Sequence, residues 1–192
     1  MKGKILKFIL PVVMLIFILT ACGGFEMWVE VDLELPVIEF SLGASAPSIY
    51  KVPVSDDEQM IYLGEYPVEL DENAKNELGG RQITDMEISI EWYVSGLSDP
   101  VHVRVYMTNE EKTVEEIADE ELFWDGYLEN GEASETVRSE SCPALGNVII
   151  PILNSEDRSG TIHVYLIHDY SGTSDVEGSL TVRVKKVKVR VF

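Results

Sequence analysis

Ile83-Thr84-Asp85-Met86-Glu87-Ile88-Ser89-Ile90-Glu91-Trp92-Tyr93-Val94 is the stretch that decides the fold class. Met86, Ile88, Ile90, Trp92 and Val94 fall on one side of an extended chain, while Glu87, Ser89, Glu91 and Tyr93 fall on the other. A period of two means a strand with one face in a core and one in water. Val101, Val103, Val105 and Met107 repeat that pattern beyond a turn at Gly96–Pro100, and the two runs predict a hairpin in the centre of a sheet.

Working outward, Val29-Glu30-Val31-Asp32-Leu33-Glu34-Leu35 alternates apolar and acidic residues strictly, as a half-buried strand does. Pro36 interrupts it and the apolar phase resumes at Ile38, Phe40 and Leu42; Ser41–Val54 then reads as loop with short extended pieces. Met60–Leu63 and Tyr66–Leu70 predict two short strands around Gly64-Glu65, and Asp71–Gly80 a polar turn, or one helical turn closed by Gly79-Gly80. Val114, Ile117, Ala118 and Leu122 stand at helical spacing, so Glu110–Phe123 predicts a short surface helix ending in a turn at Phe123–Tyr127. Val148–Leu153, Thr161–His168 and Leu180–Phe192 predict three closing strands. The sum is an all-β antiparallel sandwich, immunoglobulin-like or jelly-roll, with one short surface helix.

The last strand carries a slip. Leu180, Val182 and Val184 share one parity, Val187, Val189 and Val191 the other, so Lys185-Lys186 must absorb an extra residue as a β-bulge. Its polar side gathers Arg183, Lys185, Lys186, Lys188 and Arg190. This predicts pairing with acidic Val29–Leu35, the competing reading being an exposed edge strand guarded by its lysines.

Residues 1–24 follow a different grammar. Lys2, Lys4 and Lys7 precede an uncharged run of 12 residues, Phe8–Leu19, too short to cross a bilayer as a helix. Leu19-Thr20-Ala21-Cys22 then closes the run before Gly23-Gly24. These residues resemble the lipobox signal of bacterial lipoproteins. The resemblance implies that 1–21 is a signal peptide removed in maturation, that Cys22 is the acylated first residue with 22–24 as tether, and that 25–192 is a single sandwich domain. It also implies a membrane partner, reached through the lipid on Cys22, and a place on the extracytoplasmic face of the bacterial cell envelope. Several acyl chains, at about 0.8 kcal/mol per buried methylene, hold where one would not.

Three of the fifteen basic residues lie in that segment, leaving 12 against 34 acidic residues, net −22. Such a charge repels nucleic acid and anionic head groups; a solvated acidic surface is its first reading, a cationic ligand or a basic partner protein the others. Cys142 is the one cysteine left beyond Cys22, so no internal disulfide forms and packing alone must hold the fold. A buried thiol is the expectation for it.

Catalytic motifs are missing: there is no Gly-x-Ser-x-Gly, His-Glu-x-x-His, Cys-x-x-Cys or phosphate-cradling glycine loop in the mature sequence. His102, His163 and His168 read as surface or rim residues, the last two on opposite faces of one strand. No cofactor is expected; calcium is the weak candidate, at Asp169, Asp175 and Glu177, where oxygen-bearing side chains alternate, but the glycine at 172 is misplaced for a calcium loop and a polar hairpin loop explains the stretch as well. Trp124 and Tyr127 are the ligand-binding candidates, as a stacking platform for sugar, against a role in capping the open end of the core. Trp28 and Trp92 read as packing residues. The expectation for function is a lipid-anchored extracytoplasmic module that binds or assembles envelope protein and is not an enzyme, with carbohydrate or calcium binding as the alternative.

Overall fold

The computed structural model describes residues 25–43, 51–54, 58–172 and 174–191. Cys22 and the signal-like segment lie outside them. Ten strands occur in the order β1 (Phe25–Glu34), β2 (Ile38–Leu42), β3 (Lys51–Pro53), β4 (Gln59–Glu69), β5 (Gln82–Ser95), β6 (Val101–Thr108), β7 (Leu122–Leu128), β8 (Gly131–Arg138), β9 (Ser159–His168) and β10 (Val176–Val191). Helix α1 (Glu72–Leu78) follows β4, and a π-helical turn at Leu145–Ile149 runs into α2 (Ile150–Leu153) before β9.

The strands form two antiparallel sheets, β1-β10-β5-β8 with β2 also on β10, and β3-β4-β9-β6-β7. Strands β1 and β2 lie end to end along one edge of β10, opposite Arg183–Val191 and Val176–Leu180 respectively. Counted as one, they make the chain pair first with last: β1/β2 with β10, β4 with β9, β5 with β8, β6 with β7. That is one long hairpin, wrapped so that β10 comes beside β5 and β9 beside β6. Such wrapping is the jelly roll, so strand order settles which sandwich this is.

Alternation is obeyed where it was read. Met86, Ile88, Ile90, Trp92 and Val94 of β5 are buried in one continuous core with Val182, Val184, Val187 and Val189 of β10 and Val103, Val105 and Val164 of the opposite sheet. Strand β10 does lie beside the acidic β1: Glu26 faces Arg190 and Glu30 faces Lys186. It is a central strand, not an edge. The pairing with β5 jumps from Val184 to Lys186, which leaves Lys185 as the bulged residue.

Other expectations are corrected. β5 and β6 do not form a hairpin; the turn after Gly96 (φ 93°) carries the chain to the other sheet. On the outer side of β5 Glu87 is met by Lys186 of β10 and by Arg138, and β6 is buried on nearly both faces. The two strands around Gly64 are one strand, β4, with its irregularity between Tyr62 and Gly64. Asp71–Gly80 holds a seven-residue helix, because the Asp71 carboxylate accepts from the Ala74 N–H at 2.6 Å and Gly79 ends it at φ 55°.

The helix expected at Glu110–Phe123 is instead two 3₁₀ turns, Val114–Glu116 and Asp119–Glu121, and the chain then enters β7. Glu116 and Glu121 fold back to accept the N–H of Thr113 (2.9 Å) and Ala118 (3.1 Å), so each turn closes on itself. Val148–Leu153 is helical rather than a strand. Pro151 follows directly on the π-helical turn, at the start of α2, and the run of apolar residues has no period to betray which it is. Strand β8 was not legible, since seven of its eight residues are exposed.

Candidate binding surface

The outer side of the β3–β7 sheet is covered. Met60, Tyr106, Tyr165 and Ile167 form a second apolar cluster beneath Val54, Val114 and Ile117. Arg104 grips Glu58 through two 2.8 Å bonds, and Lys112 meets Glu121 at 2.5 Å. His163 and His168 are buried, which corrects the surface reading: His163 lies on this outer side beside Tyr62, while His168 lies on the core-facing side of β9 with Val164 and Leu166, opposite Val103. Tyr62 Oη and Glu65 Oε1 both approach Nδ1 of His163, at 2.9 and 3.9 Å. Partners on one ring nitrogen cannot pass a proton through the ring, so the trio is no catalytic relay. The Asp169 carboxylate accepts the main-chain N–H of His102 at 3.0 Å instead of orienting an imidazole.

Trp124 and Tyr127 are on a strand, not in a loop, and point to opposite faces. Trp124 turns inward, 4.7 Å from the Trp92 ring, and donates Nε1–H to Glu135 at 3.1 Å. Tyr127 is 68% exposed and packs on His102, whose Nε2 lies 2.6 Å from Asp125. The structure therefore does not bring the two aromatics together. Nor does it gather the calcium candidates: Asp169 closes the end of one sheet while Glu177 pairs with Ser41 and Ser95 in the other, and Asp175 lies in the connection. Among the described residues no three His, Cys, Asp or Glu side chains converge as metal ligands. Cys142 is buried, donates to the Phe123 carbonyl at 3.1 Å, and has its thiol pushed up to about 11, chiefly by desolvation.

The outer side of the β1-β10-β5-β8 sheet is open and electrically divided. In its lower half cations are consumed in pairs: Lys188 and Arg190 on Glu26, Lys186 and Arg138 on Glu87. Lysine and arginine bonds hold both carboxyls below their ordinary value of 4.5, the largest cause being Lys188 for Glu26 and Lys186 for Glu87. Trp28, expected as packing, lies on this face, with Arg138 and Lys186 at 5.4 and 5.2 Å from its ring. In the upper half Tyr93 is 51% exposed between two hollows of about 540 and 330 Å³. Glu91 and Glu132 line the first, Glu39 and Glu177 the second, and among the described residues no lysine or arginine lines either.

No family model matches this chain. No curated protein matches it either. Among solved structures it is similar to a chain of "Israeli acute paralysis virus heated to 63 degree - full particle", at 9% identity and a TM-score of 0.38 over 85% of this chain and 75% of that one. That likeness is too distant to bear on function.

A larger groove of about 970 Å³ runs between α1 and the bulged parts of β1 and β10. Glu30, Glu77 and Glu87 share it with Arg183, Lys185 and Lys186, so it selects neither sign of charge. No helix of the described residues is long and apolar enough to cross a membrane. The Tyr93 face is the surface with a distinct chemistry: rigid, flat, aromatic at its centre and uniformly acidic around it.

Proposed function

We propose that this chain is a lipid-anchored module of the bacterial cell envelope that binds a cationic partner protein on its extracytoplasmic side and performs no catalysis. The observation that carries the reading is the Tyr93 face, where four carboxylates surround an exposed phenol and, among the described residues, no basic side chain lines either hollow. A phenol buries area at little cost in side-chain freedom, and its acidic surround steers and orients a basic partner. The Leu19-Thr20-Ala21-Cys22 signal supplies the address and the acyl chains the membrane attachment.

The address is tested by labelling with palmitate: incorporation that vanishes in Cys22→Ser supports it, and incorporation unaffected by that change overturns it. The binding role is tested by envelope cross-linking and capture, comparing the native chain with Glu91→Lys/Glu132→Lys. Loss of a captured basic protein in the variant supports the reading. A rise in melting temperature with glycans that disappears in Tyr127→Ala, or with calcium and reversed by chelator, would replace it with ligand binding. Turnover in a broad hydrolase panel would make the chain an enzyme.

A further inference from the structure

The two sheets have four edges, and three carry devices that prevent another strand from adding to them. Strand β1 breaks register between Glu30 and Leu33 and is followed by Pro36. Strand β3 is three residues long and ends in Pro53. Strand β7 has an irregularity opposite Val105/Tyr106. Short length, proline and bulges are the ordinary means by which an edge is blunted.

Strand β8 has none of them. Gly131–Arg138 runs in unbroken register against Glu87–Val94, eight residues without proline or bulge. Half of its residues are small (Gly131, Ala133, Ser134, Thr136), and seven of the eight are exposed. In an antiparallel pair alternate residues turn their N–H and C=O away from the partner strand. Among the described residues β8 is the last strand of its sheet, and no backbone bond to another element is recorded along its free side.

We propose that the free edge of β8 is a docking edge that accepts an extended basic segment of a partner protein as an added strand. The chemistry of the occupant follows from charge. Glu132 and Glu135 stand on β8 and Glu91 on the neighbouring strand, whereas Arg138 is committed to Glu87. The sheet already uses this pairing internally, where basic β10 lies between β1 and β5. A second copy of this chain is disfavoured as occupant, since each mature copy carries net −22. The inference rests on the proposed binding role for the class of partner, but the edge itself does not depend on the lipid. It lies three strands from β1, the strand that leads back towards Cys22, and so stays accessible on an anchored molecule.

The test uses the full chain, acylated and as Cys22→Ser, with the peptide acetyl-Lys-Val-Lys-Val-Thr-Val-Lys-Val-amide and its counterpart with glutamate for lysine. Amide hydrogen exchange is read residue by residue during titration. The expected result is saturable binding of the lysine peptide to both forms, with protection rising at least about tenfold at alternate amides of Gly131–Arg138, and weakening about tenfold from 50 to 500 mM salt. Ala133→Pro and Ser134→Pro are made in parallel; the one whose N–H points outward keeps the melting temperature and abolishes binding. No binding, equal binding of the glutamate peptide, or protection confined to other strands overturns the proposal. So does a free chain that sediments as a dimer with these amides already protected. Binding to both forms together with failed palmitate labelling would leave the edge standing and remove the anchor.

Discussion

Trp124 on β7 donates its indole N–H to Glu135 on β8 at 3.1 Å, and this bond ties the two sheets at the side where their last strands stand free. The same ring packs 4.7 Å from Trp92, so it joins an edge bond to the core. Trp124→Phe keeps the packing and loses the bond, which should cost about 0.5–1.5 kcal/mol. Trp124→Ala loses both and should cost about 2–4 kcal/mol. Chemical denaturation of the pair checks this, and equal losses in the two variants would mean that the N–H bond alone matters.

Glu87 accepts from Lys186 at 3.0 Å and Arg138 at 2.8 Å and keeps only 16% of its side chain exposed. Its carboxyl is held below 4.5 by Lys186 first and Arg138 second. A carboxyl whose folded value is depressed adds stability above its unfolded value and loses it as pH falls through the folded one. Glu87→Gln should therefore cost roughly 1–2 kcal/mol at pH 7, with the deficit shrinking below pH 4.5. Melting curves from pH 7 to 3 follow it, and a deficit independent of pH would show that charge is not the cause.

Asn154 pins the helical connection to the sheet. Its side chain accepts from Ile83 N–H and donates to Ile83 C=O, both at 2.8 Å, at the start of β5. Asn154→Ala strands both partly buried main-chain groups and should cost about 1–3 kcal/mol. Exchange of the Ile83 amide should accelerate in step with the loss.

Gly178 is opposite Phe40 and Val94, and a Cβ there would overlap the Phe40 ring. Gly178→Ala should cost about 1–3 kcal/mol by overpacking. Gly178→Ala combined with Phe40→Leu should recover part of it, because the smaller side chain vacates that space; no recovery would place the strain elsewhere.

In the Cys22→Ser chain Cys142 is the sole thiol. With its value pushed up to about 11 by burial, it should resist iodoacetamide at pH 8 in the folded state and react fully in guanidinium. Fast labelling of the native chain would contradict its buried position.

What the sequence determined by itself is whatever one strand decides alone. Burial of alternate residues on β1, β5 and β10, the extra residue at Lys185 and the acid–base attraction of β1 for β10 are local consequences of the period of the backbone. The partners of β5 and β6 were not local: both runs would sit equally well in one hairpin, and the choice of opposite sheets follows from how the whole hairpin wraps. Val148–Leu153 lacked a period, so helix or strand was decided by Pro151 and by the Asn154 anchor on Ile83. β8 carried no apolar signal, because an edge strand is held by main-chain bonds to its neighbour and by little else. Its free side, like the separation of Trp124 from Tyr127, exists only after tertiary pairing has assigned each strand its neighbours, since backbone groups are paired or left open by topology rather than by residue type.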